Sequence, residues 1–163
     1  MKMKAVIIFG FAFLLLAGAI VGRASGSESD RQSLKGLKGV EVLVEDFSPG
    51  TEQAGLTKSS IQTDVELKLR LARIPVSSPV GETFLYVQLT VVNPADAIWT
   101  YGINVELYQM VFLARDPTIK VTGSTWSTSV VGSVGKSNVQ QIRDRIKDQV
   151  DQFINAYLSV NPK

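Results

Sequence analysis

TFLYVQLTVVNPADAIWTYGINVELYQMVFLARDPTIKVTGSTWSTSVV, residues 83–131, holds three strand-length runs parted by two turn signals, and its alternation decides the fold. In the first run Leu85, Val87, Leu89 and Val91 alternate with Phe84, Tyr86, Gln88, Thr90 and Val92, a period of two that gives a strand two different faces. Asn93-Pro94-Ala95-Asp96 reads as a turn. From Ile98 to Arg115, Tyr101, Ile103, Val105, Leu107, Val111 and Leu113 share one face; Asn104, Glu106, Tyr108, Met110 and Phe112 share the other. Asp116-Pro117 turns the chain again. Lys120 to Val131 is then rich in Ser and Thr around Trp126, a composition that suits a half-solvated edge strand. Short connections between successive strands predict an antiparallel meander.

Outward from that stretch the pattern changes period. Before it, Val40, Val42 and Val44 alternate with Glu41, Leu43 and Glu45, which predicts a further strand over 40–47, broken by Ser48-Pro49-Gly50. Thr57 to Arg73 carries Ile61, Val65, Leu69 and Ala72 at helical spacing, with Leu67 and Leu71 widening the stripe. Thr57 is a candidate N-cap, as is Ser59 with Gln62 as a capping box, and Ile74-Pro75 ends the helix. After it, Ser137 with Gln140 predicts a capping box, and Ile142, Ile146, Val150, Phe153, Ile154 and Tyr157 form one apolar stripe up to Asn161-Pro162. The order strand-helix-strand-strand-strand-helix predicts an α+β, two-layer sandwich. Its four-stranded, mostly antiparallel sheet has both helices on one face, in a single domain over 40–163.

The first residues are of another kind. Lys2 and Lys4 precede an uncharged run from Ala5 to Val21, and Gly22-Arg23-Ala24 places small residues where a signal peptidase cuts, so residues 1–24 read as a signal peptide. An uncleaved membrane anchor is the alternative, since about 17 apolar residues is the lower limit for spanning the hydrocarbon core. Ser25 to Gly39 reads as a flexible polar spacer. Loss of Lys2, Lys4 and Arg23 leaves 14 basic against 15 acidic residues, so the formal charge of +2 belongs to the leader and no nucleic-acid partner is expected. The chain has no His and no Cys. That excludes Ser-His and Cys-His nucleophile pairs, the usual zinc ligand sets and disulfides. The expected place is the periplasm or the exterior, or the inner membrane if the leader is kept.

Four segments, LKGLKGVEVLVEDF (34–47), GLTKSSIQTDVELKLRLARIPV (55–76), TWSTSVVGSVG (125–135) and IRDRIKDQVDQFINAYLSVNP (142–162), resemble a family of small exported bacterial proteins. The resemblance implies export and brings no catalytic residue, cofactor or ligand with it. At the level of fold, the predicted layout is similar to α+β domains of envelope-assembly proteins, such as the curli secretion lipoprotein.

Candidate chemistry is sparse. Gly132-Ser133-Val134-Gly135-Lys136-Ser137, between a strand and a helix, has the flavour of a phosphate loop. The glycine that such a loop needs falls on Val130, so what remains is an anion site at Gly135, Lys136 and Ser137 or a plain glycine turn. A pocket between loops 48–55 and 132–137, with Asp46, Lys136 and Ser137, would make a small-molecule or anion binder or a hydrolase. Glu41, Glu45 and Asp46 could form an acid/base or Ca²⁺ site but read more simply as a solvated strand face. Asp144, Asp148 and Asp151, interleaved with Arg143, Arg145 and Lys147, read as a salt-bridged helix face with pairs such as Lys147–Asp151. Ser124 to Ser129 lacks a base for a nucleophile. Trp126 reads as a core anchor ahead of a stacking platform. No catalytic residue, metal or cofactor is expected. What remains is the sheet face away from the helices, where Phe84, Tyr86, Tyr108, Met110 and Phe112 would lie together. Unless the spacer or the loop Pro75 to Gly81 folds over them, they predict a contact with an envelope protein or a homodimer partner.

Overall fold

The computed structural model describes residues 27–47, 49–53, 55–76, 83–92 and 97–162. The leader, the Asn93–Asp96 turn and most of the Pro75–Gly81 loop lie outside the described residues. Four strands form one sheet in the order β1-β2-β3-β4: β1 Glu41–Val44, β2 Phe84–Val92, β3 Ile98–Leu113 and β4 Asp116–Gly135. β1 runs parallel to β2; the other two pairs are antiparallel. The helices are α1 Glu28–Gln32, α2 Pro49–Gln53, α3 Lys58–Leu71 and α4 Gln140–Val160, with a turn of 3₁₀ helix over Lys136–Asn138. The architecture is the two-layer α+β sandwich that the periodicities predict.

Alternation places Val42, Val44, Leu85, Val87, Leu89, Ile103, Val105, Leu107 and Trp126 on one sheet face, all buried. α3 covers them with Ile61, Val65 and Leu69, and α4 with Ile142, Ile146, Val150 and Phe153. Trp126 is a core anchor, its ring edge-on to Phe153 at 5.3 Å. The helices are tied to each other by charge. Arg143 donates two hydrogen bonds to the Asp64 carboxylate, with Lys147 3.5 Å away, and Lys68 reaches Asp151 at 2.5 Å. The anticipated Lys147–Asp151 pair is therefore replaced by bridges across the helix–helix seam, which shield charges better than one exposed surface does. The Arg143 guanidinium holds the Asp64 carboxyl below its ordinary range.

Several expectations need correction. The polar stretch before Val40 is not a spacer from Glu28 onward. Ser27 and Asp30 cap α1 reciprocally, Leu34 is fully buried, and Asn161 and Tyr157 of the last helix hydrogen-bond the backbone of residues 34–37. Leu34, with Leu37 packed beside it, and the backbone partners from the end of α4 dock an otherwise polar segment. The strand does end before Ser48-Pro49-Gly50, but the loop 48–55 contains a short helix, Pro49–Gln53, with Thr51 buried. Leu67 and Leu71 do not widen the α3 stripe; Leu71 is 75% exposed, because α3 buries only the row through Ile61, Val65 and Leu69. α3 ends with Arg73 in the left-handed region (φ 62°). There Ile74 N–H bonds Leu69 O and Arg73 N–H bonds Arg70 O, a Schellman cap that normally favours glycine. At α4 the capping box is absent: Ser137 lies in the 3₁₀ turn and Val139 caps the helix with no side-chain bond. Thr57, by contrast, does cap α3, accepting from the Ser60 N–H at 3.3 Å.

The β3–β4 hairpin is longer than its turn signal implies. Asp116 opens β4 rather than breaking it, because only Ala114 and Arg115 separate the paired residues Leu113 and Asp116. Its ladder is interrupted between Leu107 and Tyr108, where Thr125 is the extra residue of a bulge. β2 stops pairing at Tyr108, so beyond the bulge the hairpin continues as a two-stranded arm. Its five residues past Tyr108 span roughly 17 Å at strand rise. No residue from Tyr108 to Thr125 is buried, so Val111 and Leu113 keep the parity of the core face but lie past the end of the core.

Candidate functional site

The face opposite the helices is built by the same alternation. Strand pairing sets Phe84 against Tyr108 and Tyr86 against Glu106, each beside a buried neighbour pointing the other way. The Phe84 and Tyr108 rings stack at 5.2 Å, 7° from parallel, and Tyr86 meets Tyr108 edge-on at 6.0 Å. Along β3 the row continues through Met110 to Phe112, which is 58% exposed and has the Lys120 ammonium 5.6 Å from its ring centre. All five residues singled out from the sequence thus share one face, running from the sheet centre onto the arm. Aromatic pairs of this geometry stiffen a cross-strand contact by about 0.5–1.5 kcal/mol beyond the area they bury.

Carboxylates surround the rings. Glu41 lies beside Phe84 and Leu43 beside Tyr86 in the parallel register of β1 and β2. The Tyr108 hydroxyl donates to Glu106 Oε2 at 2.8 Å. That bond, with partial desolvation, raises the Tyr108 pKa above the ordinary phenol value. Tyr86 is raised as well, chiefly by burial and then by the Glu45 carboxylate beside it. Glu41 Oε2 is buried with no hydrogen-bond partner. Further along, Asn104 donates to Gln88 Oε1 at 2.9 Å across the same strand pair, and the row ends on exposed Val92 and Val131. Sequence reasoning placed the rings and passed over the carboxylates as solvent-facing charges. Their arrangement around tyrosines depends on which residues pair across strands, which alternation does not supply.

The bulge is a second feature that the sequence hid. Gln109 Nε2 donates to Thr125 Oγ1 at 2.7 Å and to Ser33 O at 3.2 Å, while Ser33 Oγ donates to Thr125 O at 3.0 Å. The α1 segment therefore fastens the root of the arm. One residue of the Ser/Thr run is structural: Thr128, buried, donates through Oγ1 to the Gln149 Oε1 of α4 at 2.8 Å.

The residues of the other candidates are taken up elsewhere or lie exposed. Lys136 and Ser137 are exposed, and the Lys136 N–H, which an anion would need, is bonded to Ala97 O at 2.8 Å. Gly135 has an ordinary extended conformation, and the 3₁₀ turn offers one short loop of donors rather than a cradle. Asp46 is bound to Lys58 at 2.7 Å. Among the described residues no group of three or more acidic side chains is placed to hold a metal, and no helix is long and apolar enough to cross a membrane. No protein-family model matches the chain, and no curated protein matches it either.

Proposed function

We propose that the protein is an exported, non-enzymatic envelope module that contacts another protein through the open sheet face centred on Phe84, Tyr86, Tyr108, Met110 and Phe112. One observation carries the reading: a continuous row of rings and a methionine crosses the face that none of the described helices covers and runs out along the arm. Composition of this kind is enriched in the centres of protein interfaces. The basic, apolar, small-residue leader supports export, and the lack of His and Cys removes the commonest nucleophile pairs.

The test is site-specific photocrosslinking in the native cells, with benzoylphenylalanine at Phe112 or Met110 and, as controls, at Leu71 or Thr63 on the helical side. Adducts of defined mass are expected from the sheet-face positions and not from the controls. Equal adducts from both sides, or none from Phe112 and Met110, would sink the reading.

A further inference from the structure

We infer that the occupant of this face is a cationic polypeptide segment, whose lysine or arginine side chains seat between the carboxylates of Glu41, Glu45 and Glu106 and the rings of Phe84, Tyr86 and Tyr108. The inference rests on the contact reading above and gives its partner a sign. Its first ground is a contrast in how acidic residues are used. Every acidic residue of α3 and α4 (Asp64, Glu66, Asp144, Asp148 and Asp151) has a Lys or Arg partner. Glu41, Glu45 and Glu106 have none among the described residues. Glu41 and Glu45 on the β1 side and Glu106 on β3 flank β2 on one face, and among the described residues no lysine or arginine pairs with them, so they keep an outward negative field.

The second ground is desolvation. Glu41 Oε2 is cut off from water and accepts no hydrogen bond. An acceptor left in that condition is penalised until a donor arrives. An ammonium or guanidinium over Phe84 supplies the opposite charge, and it supplies the donor once the Glu41 side chain turns outward to meet it. The rings add a third attraction, since the negative face of an aromatic ring draws a cation. The same sheet face already seats one ammonium in this way, Lys120 over Phe112.

Charge also chooses between occupants. A second copy stacked face to face would set this acidic cluster close to its own twin, and like-charge juxtaposition across an interface costs several kcal/mol. A basic segment of another protein meets no such penalty.

The experiment titrates the full chain, held in mild detergent, with fluorescent oligolysine and, as a control, oligoglutamate, at low and at physiological salt. Oligolysine is expected to bind, more weakly as salt rises, while oligoglutamate does not. Glu45→Gln with Glu106→Gln should weaken oligolysine binding about tenfold, since two charge contacts are lost. Asp144→Asn with Asp148→Asn removes the same charge from the helical side and should change it less than about twofold. Circular dichroism confirms that both double variants are folded, and Glu41→Gln alone repeats the test with one isosteric change. Absence of oligolysine binding, or equal weakening in the two double variants, overturns the inference. If binding fails while the Phe112 photocrosslinks persist, the sign of the partner is wrong and the contact face stands. If both fail, the contact reading falls too. Crosslinked adducts of twice the chain mass would make the occupant a second copy and also overturn the inference.

Discussion

Strands β2 and β3 present two faces made from alternate residues of the same chain, and the two are built on different rules. On the helical side Leu85, Val87, Ile103, Val105 and Leu107 are fully buried beneath α3 and α4, and the charges at the seam are paired. On the other side the neighbours of those residues are half-buried rings and carboxylates without a lysine or arginine partner among the described residues. The first face settles whether the chain folds. The second carries less of the burial that holds the sheet, and it is the face the proposed contact would use.

That difference can be broken most directly by truncating one side chain on each face. Phe153→Ala empties the centre of the helical layer and should cost about 3–5 kcal/mol in urea unfolding, while Phe112→Ser should stay within about 0.5 kcal/mol. Comparable losses at both positions would mean that the open face is structural. Next in size is the helix–helix seam. Asp64→Asn should lower stability by about 1–2 kcal/mol near neutral pH, as expected for hydrogen bonds to a charged group. Asp64 is depressed in the folded state by Arg143, so its contribution is complete above the unfolded carboxyl value of about 3.9. It is lost as pH falls through the lowered folded value, and the two proteins should converge in acid unfolding below about pH 4. An undiminished gap at low pH would show that the loss is one of packing.

Smaller changes sharpen the contrast. Arg73 occupies a left-handed cap at the end of α3, so Arg73→Gly should raise the thermal midpoint, by the equivalent of about 1 kcal/mol. A lowered midpoint would mean that the arginine side chain matters more than its backbone strain. Least in energy is Glu106→Gln. It removes the carboxylate that keeps Tyr108 protonated, so the Tyr108 pKa should fall back towards about 10, as read by phenolate absorbance. In the parent chain the raised Tyr108 value contributes stability that is full below about pH 10 and lost as pH climbs through the folded value. An unmoved titration would deny that Glu106 governs this ring.

The layering was legible because alternation along β2 and β3, and the 3.6-residue stripe of α4, are properties of single segments. So was the membership of the open face, since Phe84, Tyr86, Tyr108, Met110 and Phe112 occupy positions of one parity. What stayed hidden depends on partners far apart in the chain. Leu34 is buried because Asn161 and Tyr157, more than 100 residues away, receive its segment. Gly132 reads as a turn residue, yet it lies within β4 because the Tyr101 ring crosses it; an added Cβ would stand 2.5 Å from the tyrosine hydroxyl oxygen. The acidic neighbours of the rings follow from the pairing of Tyr86 with Leu43 and Glu106, which only the register of three strands defines.

The arm beyond Thr125 has a ladder but no floor: its two strands are paired, and none of its residues from Gln109 to Ser124 is buried. A hairpin in that condition opens locally far more readily than the sheet it grows from. Its amides therefore exchange with solvent on their own clock, independent of global unfolding. Whatever settles on the arm slows that clock, so the protein carries in residues 109–123 a gauge of its own occupancy.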